Sequence, residues 1–147
     1  YRTVILVVGD TSLATIGLCV NRPAAVECDC GCCPPLFLGG PSMLEERFFC
    51  LHDNRKVARK KDKILNGVFL SKPETMDKLA ELPEQERGQH RMITGYCEWE
   101  PGELQDEIKK GWWLVAEPDH DLLLERDPTK LWKSLVPFHY TINFSEN

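Results

Sequence analysis

Four cysteines fall within six residues at Cys28-Asp29-Cys30-Gly31-Cys32-Cys33. Thiolates are soft ligands, and a tetrahedral zinc site needs four donors at about 2.3 Å from the metal. Cys28, Cys30, Cys32 and Cys33 are therefore candidate zinc ligands, with Cys19, Cys50 or His52 available to help. Structural sites more often pair Cys-x-x-Cys units from separate turns, so free thiols or an adventitious disulfide compete with a metal site. No other cofactor is expected.

A second group is acidic: Glu98, Glu100, Glu103 and Glu107. Glu103 and Glu107 stand one helical turn apart, and a loop carboxylate beside them could complete a Mg²⁺ or Ca²⁺ site or an acid–base pair. Acidic residues in a first helical turn are also what the helix dipole favours, with no chemistry attached. Cys97 could act as a nucleophile with His90 or His52 as base, but no nucleophile elbow or oxyanion sequence accompanies it. A small buried side chain is the favoured reading there, so no catalytic residue is assigned. Arg55, Lys56, Arg59, Lys60, Lys61 and Lys63 could neutralise nucleic-acid phosphates. No aromatic interleaves them, so a solvated charged loop is favoured. Gly39-Gly40-Pro41 could present bare amides to an anion or simply make a tight turn. Tyr96, Trp99, Trp112 and Trp113 either pin a Pro-Gly turn to the core or rim a groove for a peptide or small ligand.

The elements that must position these groups alternate irregularly. Thr3–Val8 is a continuous β-branched run, as in a strand buried on both faces. Ile16–Val20 and Phe48–His52 read as further strands, and Ile64–Leu70 as a strand with Asn66-Gly67 marking a turn or bulge in it. Ser71-Lys72-Pro73-Glu74 has capping-box spacing ahead of a helix with Met76, Leu79 and Ala80 on one face, ended by Leu82-Pro83. Arg91–Thr94 is a strand feeding Gly95–Gln105. A helix then carries Leu104 and Ile108 inward, with Gly111 as its C-terminal cap. Trp112–Ala116 reads as a strand, and Asp127-Pro128 opens a last helix with Leu131, Trp132, Leu135 and Val136.

With 147 residues, 42% hydrophobic and 28% charged, one soluble globular domain spanning 1–147 is expected. Tyr1 stands directly before a strand, which predicts that the natural N-terminus lies upstream. The net charge of −5 argues against a surface devoted to nucleic acid. No apolar run approaches the roughly 20 residues of a membrane helix, so no membrane partner is expected. Seven cysteines, an odd number in a chain of this size, point to the cytoplasm or another reducing compartment.

Three motifs carry a family resemblance: Arg2–Leu6 followed by Gly17–Pro23, then Leu36-Phe37-Leu38-Gly39-Gly40-Pro41, and Gly95-Tyr96-Cys97-Glu98-Trp99-Glu100-Pro101-Gly102-Glu103-Leu104-Gln105. Together with Trp112–Ala116, Asp121-Leu122-Leu123 and Leu131-Trp132 they resemble the AlgH/YqgE family over nearly the whole chain. The chain departs from that pattern at Ala24–Pro35, where a short cysteine-rich loop replaces a longer, partly helical segment. The resemblance implies an α+β fold with a mixed, bent or bifurcated β-sheet approaching a barrel and flanked by helices. It also implies, through the family's name, a transcription-regulatory association. The reading is a non-catalytic binding or regulatory protein with an unidentified protein partner. Its binding surface is expected between Gly39, Gly40, Pro41 and Tyr96, Trp99, Pro101, Gly102. The alternatives are a metal-dependent hydrolase or nuclease using the acidic cluster, and a nucleic-acid-binding accessory protein using the basic loop 55–63.

Overall fold

A computed structural model describes residues 2–25, 35–124 and 127–143. In chain order the strands are β1 (Ile5–Asp10), β2 (Thr15–Cys19), β3 (Leu36–Leu38), β4 (Phe48–His52), β5 (Lys63–Leu65), β6 (Val68–Ser71), β7 (His90–Thr94), β8 (Cys97–Trp99), β9 (Val115–Ala116) and β10 (His139–Tyr140). The helices are α1 (Thr75–Glu81), α2 (Glu103–Lys109), α3 (His120–Leu123) and α4 (Pro128–Leu135).

Three sheets result. β1-β2-β8 is antiparallel throughout. The five-stranded sheet runs β3-β7-β4-β6-β5, with only β3 and β7 parallel. β9 and β10 form a short antiparallel pair. The two larger sheets share chain at two places. Beyond β2, Arg22 O accepts from Leu38 N and Ala24 N donates to Leu36 O, each at 2.8 Å, so the chain that leaves one sheet borders the other. Beyond β7, Tyr96 and Ser42 exchange both backbone hydrogen bonds at 3.0 Å before β8 begins. This is the expected bent, bifurcated α+β architecture, and among the described residues the sheets stay open rather than closing into a barrel.

Leu18, Val20, Leu51, Val68 and Ile93 are fully buried between the sheets, and Leu123, Leu124 and Leu131 cover them from the helical side. Burial of branched aliphatic side chains supplies most of the drive for this packing. No helix of the described residues is long and apolar enough to cross a membrane.

Four local readings need correction. β1 is the border of its sheet and Val7 is 48% exposed, so the strand is not buried on both faces. Ser71 ends β6 instead of capping α1, because its hydroxyl is hydrogen-bonded to Asp62 at 2.8 Å. The buried positions of α1 are Thr75 and Leu79, and Ala80 faces solvent. Of Trp112–Ala116 only the last two residues are strand, since Trp112 and Leu114 lie exposed along a cavity rather than in a ladder. Other punctuation follows its residue types. Gly67 turns β5 into β6 at φ 79°, and Asp127 caps α4 by accepting from Thr129 N at 3.0 Å with Pro128 at the first helical position.

Candidate functional site

The Gly39-Gly40-Pro41 turn and the chain at Tyr96 are brought together, backbone against backbone. Gly39 N donates to Thr94 O and Gly39 O accepts from Cys19 N, both at 2.8 Å, so the Gly39 amide is already engaged and is not offered to an anion. A Cβ at Gly39 would collide with Gly95 O and stand 2.6 Å from Ile93 Cγ2. At Gly40 it would run into the Tyr96 carbonyl and stand 2.5 Å from Cys97 N. Close approach of two main chains is therefore what the glycine pair permits. The Tyr96 ring meets Phe49 edge-on at 6.5 Å, while Pro41, Pro101 and Gly102 are exposed.

Trp99 serves a different place. It lines a cavity of about 600 Å³ bounded by β1, α2, the 112–118 segment and α4. All four tryptophans of the chain, Trp99, Trp112, Trp113 and Trp132, line it. Ile5, Val7, Leu104, Ile108, Leu114 and Leu135 add aliphatic wall, and Arg2, Thr3, Glu117 and His139 are its polar members. Gly17 on β2 makes room for the Trp99 ring, since a Cβ there would lie 3.0 Å from Trp99 Cζ3 and 2.5 Å from Ile5 Cγ2. Trp99 and Trp113 meet edge to face at 6.3 Å, and both indole N–H groups donate to Glu107 Oε2, at 3.1 and 2.6 Å. The Arg2 guanidinium lies 4.6 Å over Trp132, and the Lys110 ammonium 4.9 Å over Trp112. Trp112, 66% exposed, and Leu114, 57% exposed, stand at the solvent side.

The family model described as AlgH-like matches residues 1–138. The chain belongs to the AlgH-like family. A UPF0301 protein of Myxococcus xanthus is 33% identical to this AlgH-like chain over 148 aligned residues, covering 92% of the chain and 80% of the relative. A UPF0301 protein of Caulobacter vibrioides is 28% identical, covering 89% and 74%. Among solved structures, AlgH from Pseudomonas aeruginosa superposes with a TM-score of 0.67 at 21% identity, over 90% of this chain and 76% of its own. Protein DIP2367 from Corynebacterium diphtheriae gives 0.70 at 21%, over 90% and 75%. At that identity the likeness establishes the fold.

The other candidates of this AlgH-like chain are dispersed. Cys28, Cys30, Cys32 and Cys33 lie outside the described residues. Cys50 is wholly buried, its thiol 3.2 Å from Met76 Sδ and pushed up to about 12 by that burial, so it offers no thiolate. Burial, and secondarily the neighbouring Cys19, also raises the Cys97 thiol, and its contact is the Gly39 carbonyl at 3.5 Å rather than a histidine. In the acidic cluster, Glu107 is held by the two indoles and Glu103 accepts from Glu100 N at 2.8 Å, so the carboxylates do not converge. Among the described residues no three His, Cys, Asp or Glu side chains gather as a metal requires. The basic stretch is partly neutralised in place: Arg59 pairs with Asp62 at 3.0 Å and Lys56 with Glu86 at 3.6 Å.

One polar cluster escaped the sequence. His52 Nδ1 accepts from Asn54 N at 3.2 Å, which leaves the ring proton on Nε2 to be donated to Ser71 Oγ at 2.7 Å. Ser71 in turn donates to Asp62 Oδ2, which Arg59 holds from the other side. The proton order runs from histidine to serine to aspartate, the reverse of nucleophile activation, and His52 is 0% exposed. The cluster is structural.

Burial lowers the His52 pKa below its ordinary 6.5, with Asp62 and Asp53 offsetting only part of the effect. The unfolded chain therefore binds a proton in a range where the folded one does not. Stability should fall as pH drops from about 6.5 through the folded value, and His52→Gln should flatten that limb. Urea midpoints between pH 8 and pH 5 check this, and an equal slope in both proteins would contradict it.

Proposed function

We propose that this AlgH-like chain is a non-catalytic binding protein that accepts apolar side chains of a protein partner in the tryptophan-lined cavity. The observation behind the reading is the convergence of every tryptophan of the chain on one cavity of about 600 Å³, a size typical of ligand sites. Glu107 satisfies two of the indole N–H groups internally, so Trp99 and Trp113 have apolar faces and edges to offer. Trp112 and Leu114 remain exposed beside it, an arrangement that loses burial in the isolated chain and regains it under a partner. A hydrolase or nuclease reading lacks such support, because Glu103 and Glu107 already have partners within the fold.

The test uses anilinonaphthalene sulfonate as an apolar probe of the cavity, read by energy transfer from tryptophan. One saturable site is expected, weakened about tenfold or more by the double substitution Trp112→Ala and Leu114→Ala while the melting temperature holds. Both residues are exposed, so unfolding is not the expected cost. Absent saturation, or affinity unchanged in the variant, would refute the reading.

A further inference from the structure

His120, the first residue of α3, sits between two carboxylates. Its Nδ1 meets Asp121 Oδ1 at 2.8 Å, and its Nε2 faces Asp53 Oδ2 at 3.5 Å. Ionised carboxylate oxygens only accept, so both ring nitrogens must carry hydrogen for both contacts to hold. A neutral imidazole has one N–H, and in either tautomer a bare nitrogen lone pair is then left facing a carboxylate. The arrangement suits imidazolium, the form a histidine takes as pH falls below neutrality. Asp53 follows β4 and is itself fixed beside β7: its Oδ1 accepts from Gln89 N at 2.9 Å, and its N–H donates to Gln89 O at 3.2 Å. Gly67, in the turn between β5 and β6, leaves room for the ring, since a Cβ there would meet His120 Cδ2 at 3.4 Å. His120 thus ties the helical layer to the five-stranded sheet. Among the described residues, the other charged or titratable groups around this pair are Arg55 across the Gly67 turn, Asp119 at the α3 cap, and His52 and His90 on the sheet side of Asp53.

The tied layer is a wall of the tryptophan-lined cavity. The lining segment 112–118 ends one residue before the α3 cap Asp119, Leu123 of α3 lines the cavity, and α4 adds Trp132 and Leu135. We infer that the His120–Asp53 contact is a protonation-sensitive strap on this wall, engaged when both ring nitrogens carry hydrogen and released when one does not, and that it regulates binding in the cavity. This rests on the cavity being the binding site and adds how that site is controlled. His120 is 39% exposed and Asp53 18%, so solvent protons reach the ring while the pair keeps part of its strength against screening. Leu123 and Leu124 belong to the core, so release loosens the wall without unfolding the chain. The sign is opposite to that of His52, which burial holds neutral.

The test follows hydrogen exchange at Leu123, whose N–H donates to Asp119 O at 2.9 Å, as protection factors that remove the intrinsic effect of pH. Protection should rise about threefold from pH 8 to pH 6, and the rise should vanish in His120→Gln. N-phenyl-1-naphthylamine, an uncharged probe chosen so that the charge of His139 on the wall does not enter, is titrated alongside. It should bind about threefold more tightly at pH 6 than at pH 8 in the unaltered chain, and equally at both in the variant. Both proteins retain His52, so its contribution cancels in the comparison. Should His120→Gln fail to fold, Asp53→Asn keeps an oxygen for Gln89 N and should abolish the same rise. A rise in protection that persists in the variant would overturn the strap. Protection that follows His120 while probe affinity does not would overturn its control of the cavity and leave the cavity reading standing. No saturable binding at either pH would overturn both.

Discussion

Gly40→Ala should lower the unfolding free energy by about 3 kcal/mol, a large share of the roughly 5–15 kcal/mol typical of such domains. The added Cβ meets the Tyr96 carbonyl and Cys97 N, which are backbone atoms that cannot rotate away. Relief would require separating Ser42 from Tyr96, and with them the two hydrogen bonds at 3.0 Å that carry the chain from β7 to β8. Gly102→Ala is the matched control. Gly102 has φ 84° but nothing within 4 Å of an added Cβ, so only the conformational cost of about 1 kcal/mol applies. Urea unfolding of the two variants separates steric conflict from backbone preference. A loss at Gly40 no larger than at Gly102 would mean that the junction yields, and that close approach is not why glycine stands there.

Asp62→Ala should cost a comparable amount, about 3 kcal/mol. Asp62 is 5% exposed and accepts from Ser71 Oγ and from Arg59 Nε and Nη2. Its removal leaves the buried Ser71 hydroxyl, and through it His52, without the acceptor that ends their chain of donors. Asp62→Asn keeps an oxygen for Ser71 and should lose about half as much. Burial by itself would raise the Asp62 pKa, but the Arg59 and Ser71 hydrogen bonds outweigh it and hold the carboxyl below its ordinary 3.8. Its contribution is therefore present above about pH 3.8 and lost as pH falls through the lower folded value. Chemical denaturation at pH 7 measures the two substitutions. Equal losses for Ala and Asn would point to lost charge rather than to the hydrogen-bond chain.

The family was legible where residue type is dictated by backbone geometry. Gly39-Gly40-Pro41 and Gly95-Tyr96 could be recognised because the crossing of two main chains tolerates little else there. Phe48–His52 was legible as a strand because its aromatic and aliphatic run is short and cleanly bounded. Trp112–Ala116 gives the same local signal, yet most of it is not strand, since its apolar residues face a cavity and local sequence carries no mark of what they face. Ser71 has ideal capping spacing, but a tertiary partner, Asp62, takes its hydroxyl. The site was half visible. Trp99, Trp112 and Trp113 stood out as aromatics near a turn, whereas Trp132 lines the same cavity from α4, far along the chain. Glu107 looked like helix-dipole compensation, and nothing in its spacing announced two indoles.

Incorporation of 5-fluorotryptophan followed by ¹⁹F NMR during an anilinonaphthalene sulfonate titration shows whether the tryptophans of the chain share one binding site. The four tryptophans give four signals, and one shared cavity predicts that all four move together with a single midpoint. Signals that move at separate midpoints, or a subset that stays still at saturation, would contradict a single tryptophan-lined site.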